Sequence, residues 1–155
     1  MDDSIDARLA RAGVTLPTPA APAANYVPFT RHGDLLFISG QVSISAGGEA
    51  YRGKLGGGVS LEEGRKAARL CAVNVLAQIK AALDGDLERV VRILKITGFV
   101  ASAPGFTEQH LVVNGASDLL VEILGERARH ARAAIGMAAL PLDAAVEVDA
   151  ILAVA

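Results

Sequence analysis

The segment "AVEVDAILAV", Ala145 to Val154, narrows the possible folds more than any other stretch of the chain. Successive side chains of a strand point to opposite faces, so Val146, Val148, Ala150, Leu152 and Val154 share one face while Glu147 and Asp149 occupy the other. The apolar face has to be covered by other elements. This strand therefore belongs to a sheet with helices packed on one side, and Glu147 points away from those helices.

The helices are marked by their ends. Ser60 and Glu63 have the spacing of a capping box, and Ala68, Cys71, Ala72, Val75, Ile79 and Leu83 then follow helical periodicity up to a stop at Gly85. A second helix is predicted from "PGFTEQHL", with Thr107 as its cap and Phe106 stapled onto Leu111, running to about Leu124 before Gly125. A short helix over Ser4 to Ala12 should end at Gly13, and the proline-rich Pro17 to Pro28 reads as an extended arm laid over a surface. The expected division is thus residues 1–25, a helix and arm, and residues 26–155, the main domain.

Strands are predicted over Asp34 to Ile44, apolar enough to be buried on both faces, over Arg89 to Ser102, over Arg132 to Leu140, and over Ala145 to Val154. "SAGGEAYRGKLGGG" is a glycine-rich loop, and "PLDA" reads as a turn joining the last two strands. The order β-β-α-β-α-β-β with short connections predicts an α+β fold, a mixed sheet with two helices packed on one face.

Several function classes are disfavoured. The 15 basic and 17 acidic residues are dispersed without a basic block, which makes a nucleic-acid partner unlikely to be read from charge. A single cysteine, Cys71, excludes an internal disulfide and points to a reducing, cytoplasmic setting. No stretch has the length of a signal peptide core or a membrane span. With 52% hydrophobic but only 4% aromatic residues, the apolar mass is Ala, Val, Leu and Ile, which favours close packing and further burial between subunits.

The chemistry concentrates in "HARAAIGMAALP". Strand parity puts Arg132, Ala134, Gly136 and Ala138 on one face, opposite Ile135 and Met137, and such small residues suit a small ligand or a close subunit. An arginine there offers paired donors to a carboxylate, and Glu147, taken to be on the adjacent strand, would supply acid/base function. Spacing alone leaves a second reading open, in which Arg132 is a surface charge in a cross-strand ion pair with Glu147. His32, His110 and His130 lack ligand spacing and read as solvated, which argues against a metal site. Cys71 reads as a buried hydrophobe, "GKLGGGVS" misses phosphate-loop spacing, and Asn114 is a helix amide without an evident cap role.

Taken together, "FISGQ", "RVVRILKITGFV", Asn114 and "ARAAIGMAALPLDAAVEVDAI" resemble the RidA/YjgF family of imine and enamine deaminases, earlier described as L-PSP endoribonucleases. The resemblance runs from about Tyr26 to the C-terminus. It implies a chorismate-mutase-like fold, a homotrimer with clefts between subunits, and no cofactor. By position it implies that Arg132 binds a substrate carboxylate and Glu147 positions water, with Tyr26, Ser39, Gly40, Asn114 and Ala134 as substrate-binding residues. Ala134 stands where the family usually has cysteine, and Ala139 where it usually has a charged residue. The implied reaction is hydrolysis of small imino or enamino acids, such as 2-aminoacrylate, to 2-keto acids and ammonia. An endoribonuclease and a non-enzymatic trimer that binds a small carboxylate are the alternatives.

Overall fold

The order of elements along the chain is α1 (Ile5–Arg11), β1 (Phe29–His32), β2 (Leu35–Val42), β3 (Lys54–Leu55), β4 (Gly58–Val59), α2 (Leu61–Ala82), β5 (Val90–Ala101), α3 (Gln109–Leu124), β6 (Ala131–Met137) and β7 (Val146–Val154). These come from a computed structural model that describes residues 2–19, 22 and 24–155. Five strands form one sheet in the order β1-β2-β7-β5-β6. The fold is α+β as expected, with α1 joining the two helices that the sequence placed against the sheet.

The alternation of the last strand holds at every residue. Val146, Val148, Ala150, Leu152 and Val154 are buried while the residues between them are partly open. β7 lies at the middle of the sheet, antiparallel to both β2 and β5. Its buried face meets α2, where Cys71 is fully buried and donates its thiol hydrogen to the Val146 carbonyl at 3.3 Å.

Helix α2 begins with the predicted capping box. The Glu63 amide donates to Ser60 Oγ at 3.2 Å and the Ser60 amide donates to Glu63 Oε2 at 2.8 Å, so two otherwise orphan donors are satisfied. The same bonds lower the Glu63 carboxyl below its ordinary range. Helix α1 is capped by Ser4 and anchors Ile5 and Leu9 in the main core, and Gly13 follows with φ of +66°. Among the described residues no helix is long and apolar enough to cross a membrane.

Two expectations are corrected and a third is qualified. The α3 helix starts after Glu108, which makes no side-chain cap, so Thr107 lies outside it and Gln109 instead donates to the Phe106 carbonyl at 2.8 Å. β2 is covered on one face only: Leu36 and Ile38 are buried, but Leu35 and Phe37 remain 38% and 39% exposed. "PLDA" is the turn that joins the last two strands, but those strands are not neighbours in the sheet. Pro141–Asp143 is a single 3-10 turn with Leu142 and Asp143 at positive φ, and it carries the chain from β6 past β5 to β7. Within the glycine-rich loop, β3 and β4 pair over two residues each, and Leu55 is fully buried there.

The two long helices approach each other at Gly115. A Cβ on this residue would run into the Arg65 carbonyl of α2, so only glycine permits the observed spacing. Alanine there would gain helix propensity of up to ~1 kcal/mol, but prising the helices apart costs about 1–3 kcal/mol. Gly115→Ala is expected to lower the urea midpoint without changing the slope; a midpoint equal to or above wild type would refute the close-approach argument.

Candidate functional site

The register between β2 and β7 slips at one point. Ile38 faces Ala150 and Gln41 faces Val148, so Ser39 and Gly40 together oppose Asp149 in a β-bulge. The bulge folds β2 against the Glu147 side chain so closely that a Cβ on Gly40 would overlap its carboxylate. Ser39 is tied to the preceding segment, its amide donating to the Pro28 carbonyl at 2.9 Å and its hydroxyl to the Val27 carbonyl at 2.8 Å. Tyr26, Ser39 and Gly40 line one cleft, with Tyr26 55% exposed. Glu147 is half-buried, and burial first, then the neighbouring Asp149, raise its carboxyl above the ordinary value. The Asp149 Oδ1 accepts the Thr97 amide at 3.1 Å.

Arg132 sits elsewhere. It is on the edge strand β6 with its side chain directed at α3, where Nη1 donates to Asn114 Oδ1 at 2.9 Å and to Ser117 Oγ at 3.2 Å, and Nη2 donates to the His110 carbonyl at 3.1 Å. Residues 110, 114 and 117 lie on one face of α3 by the i, i+4, i+7 rule. All three acceptors are neutral. Among the described residues seven ion pairs occur, and Arg132 is in none of them. The guanidinium is thus held in one orientation with its charge uncompensated and two of its five N–H donors to spare, which is the arrangement an incoming carboxylate requires.

The structure corrects the pairing of Arg132 with Glu147. β5 lies between β6 and β7, so the two strands are not adjacent and no cross-strand ion pair forms. The small-residue face is also the helix-facing one, since Ala134 packs against the core and Arg132 reaches α3. In register, Arg132 aligns with Ile96, whereas Glu147 aligns with Phe99 and hence Ile135. The two groups are separated by two strand spacings, about 10 Å, and three residues, about 10 Å, on opposite faces of the sheet. Tyr26, Ser39, Gly40 and Glu147 form one group, Arg132 and Asn114 another, and Ala134 offers a ligand only its backbone on the edge strand.

Two residues escaped the sequence reading. His130, expected to be solvated, is half-buried: its Nδ1 bonds the Ala128 carbonyl and its Nε2 lies 2.9 Å from Ser117 Oγ. With Nδ1 carrying the hydrogen, Nε2 accepts from the Ser117 hydroxyl, whose oxygen is then free to accept from Arg132. The helical spacing of Ser117 from Asn114 was the available signal. Burial lowers the His130 pKa from its ordinary 6.5, the Ala128 carbonyl opposes this, and the charge of Arg132 reinforces it. Among the described residues no three His, Cys, Asp or Glu side chains gather as a metal set would.

Residues 6–153 match the family model described as "YjgF/chorismate_mutase-like, putative endoribonuclease". Protein TCP17 of Trypanosoma cruzi is 50% identical over 149 residues, covering 96% of this chain and 92% of that protein. The crystal structure of Atu1372 from Agrobacterium tumefaciens, a protein of unknown function, is 54% identical with a TM-score of 0.92 over 97% of this chain and 92% of the other. A protein from Shewanella oneidensis, given the same endoribonuclease label, is 35% identical with a TM-score of 0.93 over 97% and 99%.

The His130 contact makes the Arg132 cluster sensitive to acid. Its folded-state pKa lies below the unfolded value of 6.5, so its contribution is fully present above 6.5 and is lost as pH falls through the folded value. Urea unfolding at pH 7.5 and 5.5 is expected to show a loss for wild type that is smaller in His130→Gln. Equal losses in both proteins would refute the contact.

Proposed function

The chain belongs to the YjgF/chorismate-mutase-like family, and on that premise we propose that it hydrolyses small 2-imino acids to 2-keto acids and ammonia. The observation that carries the reading is Arg132, a guanidinium fixed by three neutral acceptors and paired with no carboxylate among the described residues. In this reaction Arg132 holds the substrate carboxylate. Glu147 takes a proton from water as the water oxygen bonds to the imine carbon. Glu147 returns that proton to the carbinolamine nitrogen, the C–N bond breaks as the C=O bond forms, and the remaining hydroxyl proton leaves on the departing ammonia as ammonium. A carboxyl raised above its ordinary value by burial is a stronger base than a free carboxylate once ionised. A protonated imine is electrophilic in itself, so binding and proton transfer are all that the residues need to supply.

Since Arg132 and Glu147 of one chain lie on opposite faces of its sheet, the reading requires two copies, one giving Arg132 and the other Glu147. A homotrimer with three such clefts meets that requirement. In support, the sheet face away from the helices exposes Leu35 and Phe37 on β2 and Ile135 on β6, more apolar surface than a lone sheet face usually leaves to water. The endoribonuclease label of the family has less behind it here, because the chain has a formal charge of −2 and no stacking cluster of aromatics. A trimer that binds a small carboxylate without turnover is the remaining reading, and turnover separates the two.

Wild type is expected to accelerate pyruvate release from 2-aminoacrylate generated in situ by a serine dehydratase. Arg132→Ala and Glu147→Gln should each lose about 100-fold or more. No acceleration over buffer across several imino acids would overturn the activity. Light scattering at micromolar concentration should give three times the chain mass, and a monomer would sink the intersubunit site. Mixing the two inactive variants under exchange conditions should restore roughly a quarter of the sites, because each site then draws on two chains. Mixtures as inactive as their components would place both groups in single-chain sites.

A further inference from the structure

Gln78 is 5% exposed, in the second half of α2, and its Oε1 is the one buried side-chain oxygen or nitrogen without a hydrogen-bond partner among the described residues. Such an orphan is rare in a folded core, where buried carbonyl-type oxygens are nearly always bonded. The oxygen itself is closed to solvent. Gln78 lines a cleft of about 320 Å³ between α2, the bulged end of β2 and the proline-rich arm, a volume in the range that small-molecule sites use.

Pro17, Pro19, Pro22 and Pro28 line the same cleft, and a proline has no backbone N–H to donate. One turn earlier on α2, Asn74 spends its Nδ2 on the Val42 and Ile44 carbonyls, at 3.1 Å each, so that amide is committed to holding β2. No hydrogen bond reaches Gln78 Oε1 from the other residues of the cleft, and a small rotation of the side chain toward an occupant would supply one. No residue lining the cleft is charged. A charged occupant would lack a counter-ion there, and an apolar one would leave the amide unmet. A neutral group with its own N–H or O–H fits both conditions.

We propose that the cleft under the arm binds an uncharged hydrogen-bond donor, a carboxamide or hydroxyl, through the Gln78 side chain, and that it receives the side chain of the substrate. The second half of this inference rests on the imine-hydrolysis reading. It draws on Gly40, which lines the cleft and also lies against the Glu147 carboxylate, so that only the backbone of this bulge stands between the two places. The substrates preferred by this chain are accordingly imino acids with a neutral polar side chain.

Three probes of one size separate the possibilities: propionamide carries N–H donors, butanone only an acceptor, and propionate a charge. In nitrogen–proton spectra of the full chain, the Gln78 side-chain amide pair is assigned by its loss in Gln78→Met, or in Gln78→Ala if the first variant does not fold. Propionamide is expected to shift that pair, and the other two probes to leave it in place. Equal shifts by butanone or propionate would overturn the donor preference. No shift with any probe, together with a Gln78→Met protein more heat-stable than wild type, would show an orphaned core amide only.

The turnover arm compares imines made by an amino-acid oxidase from glutamine and from norleucine. Wild type should favour the glutamine-derived imine, and the variant should shift the ratio of the two kcat/KM values by about tenfold toward norleucine. An unchanged ratio overturns the substrate side of the inference. If propionamide shifts Gln78 while no imine is turned over, the pocket stands and the imine-hydrolysis reading falls. If imines are turned over while Gln78 ignores propionamide, the reading stands and the pocket falls.

Discussion

The helices of this chain cover only one face of its sheet, and the rest of the structure follows from that asymmetry. β7 has its Val, Ala and Leu face closed by α2 and its Glu147–Asp149 face left to the outside. Covering that second face from within would bury two neighbouring carboxylates without cations, which costs several kcal/mol per ion. The face therefore has to remain open to water, to a ligand or to other copies. The apolar residues on that face, Phe37 and Ile135, make water alone a poor partner for it.

What could be read from the sequence divides along the same line. Faces were legible, because alternation along β7 and the capping box of α2 are local patterns with local causes. Strand order was not, because it depends on which strands pair, and the residues of β6 do not say whether the neighbour is β5 or β7. "PLDA" has the composition of a tight turn, yet Leu142 and Asp143 at positive φ bend a connection that passes over another strand. The parity of β6 was legible but not which of its faces meets the helices, because alanine and glycine look alike whether they lie beneath α3 or against another subunit. Arg132, Asn114, Glu147, Gly40, Ser39 and Tyr26 were named from sequence, but their division into two groups is a property of topology.

The electrostatics of the arginines sharpen the distinction between inert and available charge. Arg8, Arg69, Arg127 and Arg129 each meet an aspartate or glutamate, in exposed pairs worth little to stability. Arg132 is the one fixed by an amide, a hydroxyl and a carbonyl. Neutral acceptors orient a guanidinium without cancelling its charge, so the energy spent on ordering it is recovered only when an anion arrives. His130 completes this arrangement through Ser117, and its lowered pKa keeps a second positive charge out of the cluster near neutrality.

Glu147 shows the corresponding cost. Burial and Asp149 raise its carboxyl, so its folded-state value exceeds the unfolded one; its contribution favours the fold below 4.5 and turns against it as pH rises through the folded value. Near neutrality the ionised carboxylate is therefore a liability to the fold, while a proton acceptor needs that ionised form. Gly40 adds to the cost, since the bulge that presses against Glu147 gives up ladder pairing and accepts no side chain at that position. A sequence selected for stability alone would have glutamine or an apolar residue at 147 and a larger residue at 40. Both positions instead keep the destabilising choice, and Gly40, which meets the Glu147 carboxylate, also lines the cleft that holds the unmet Gln78, so these costs gather around one bulge of β2.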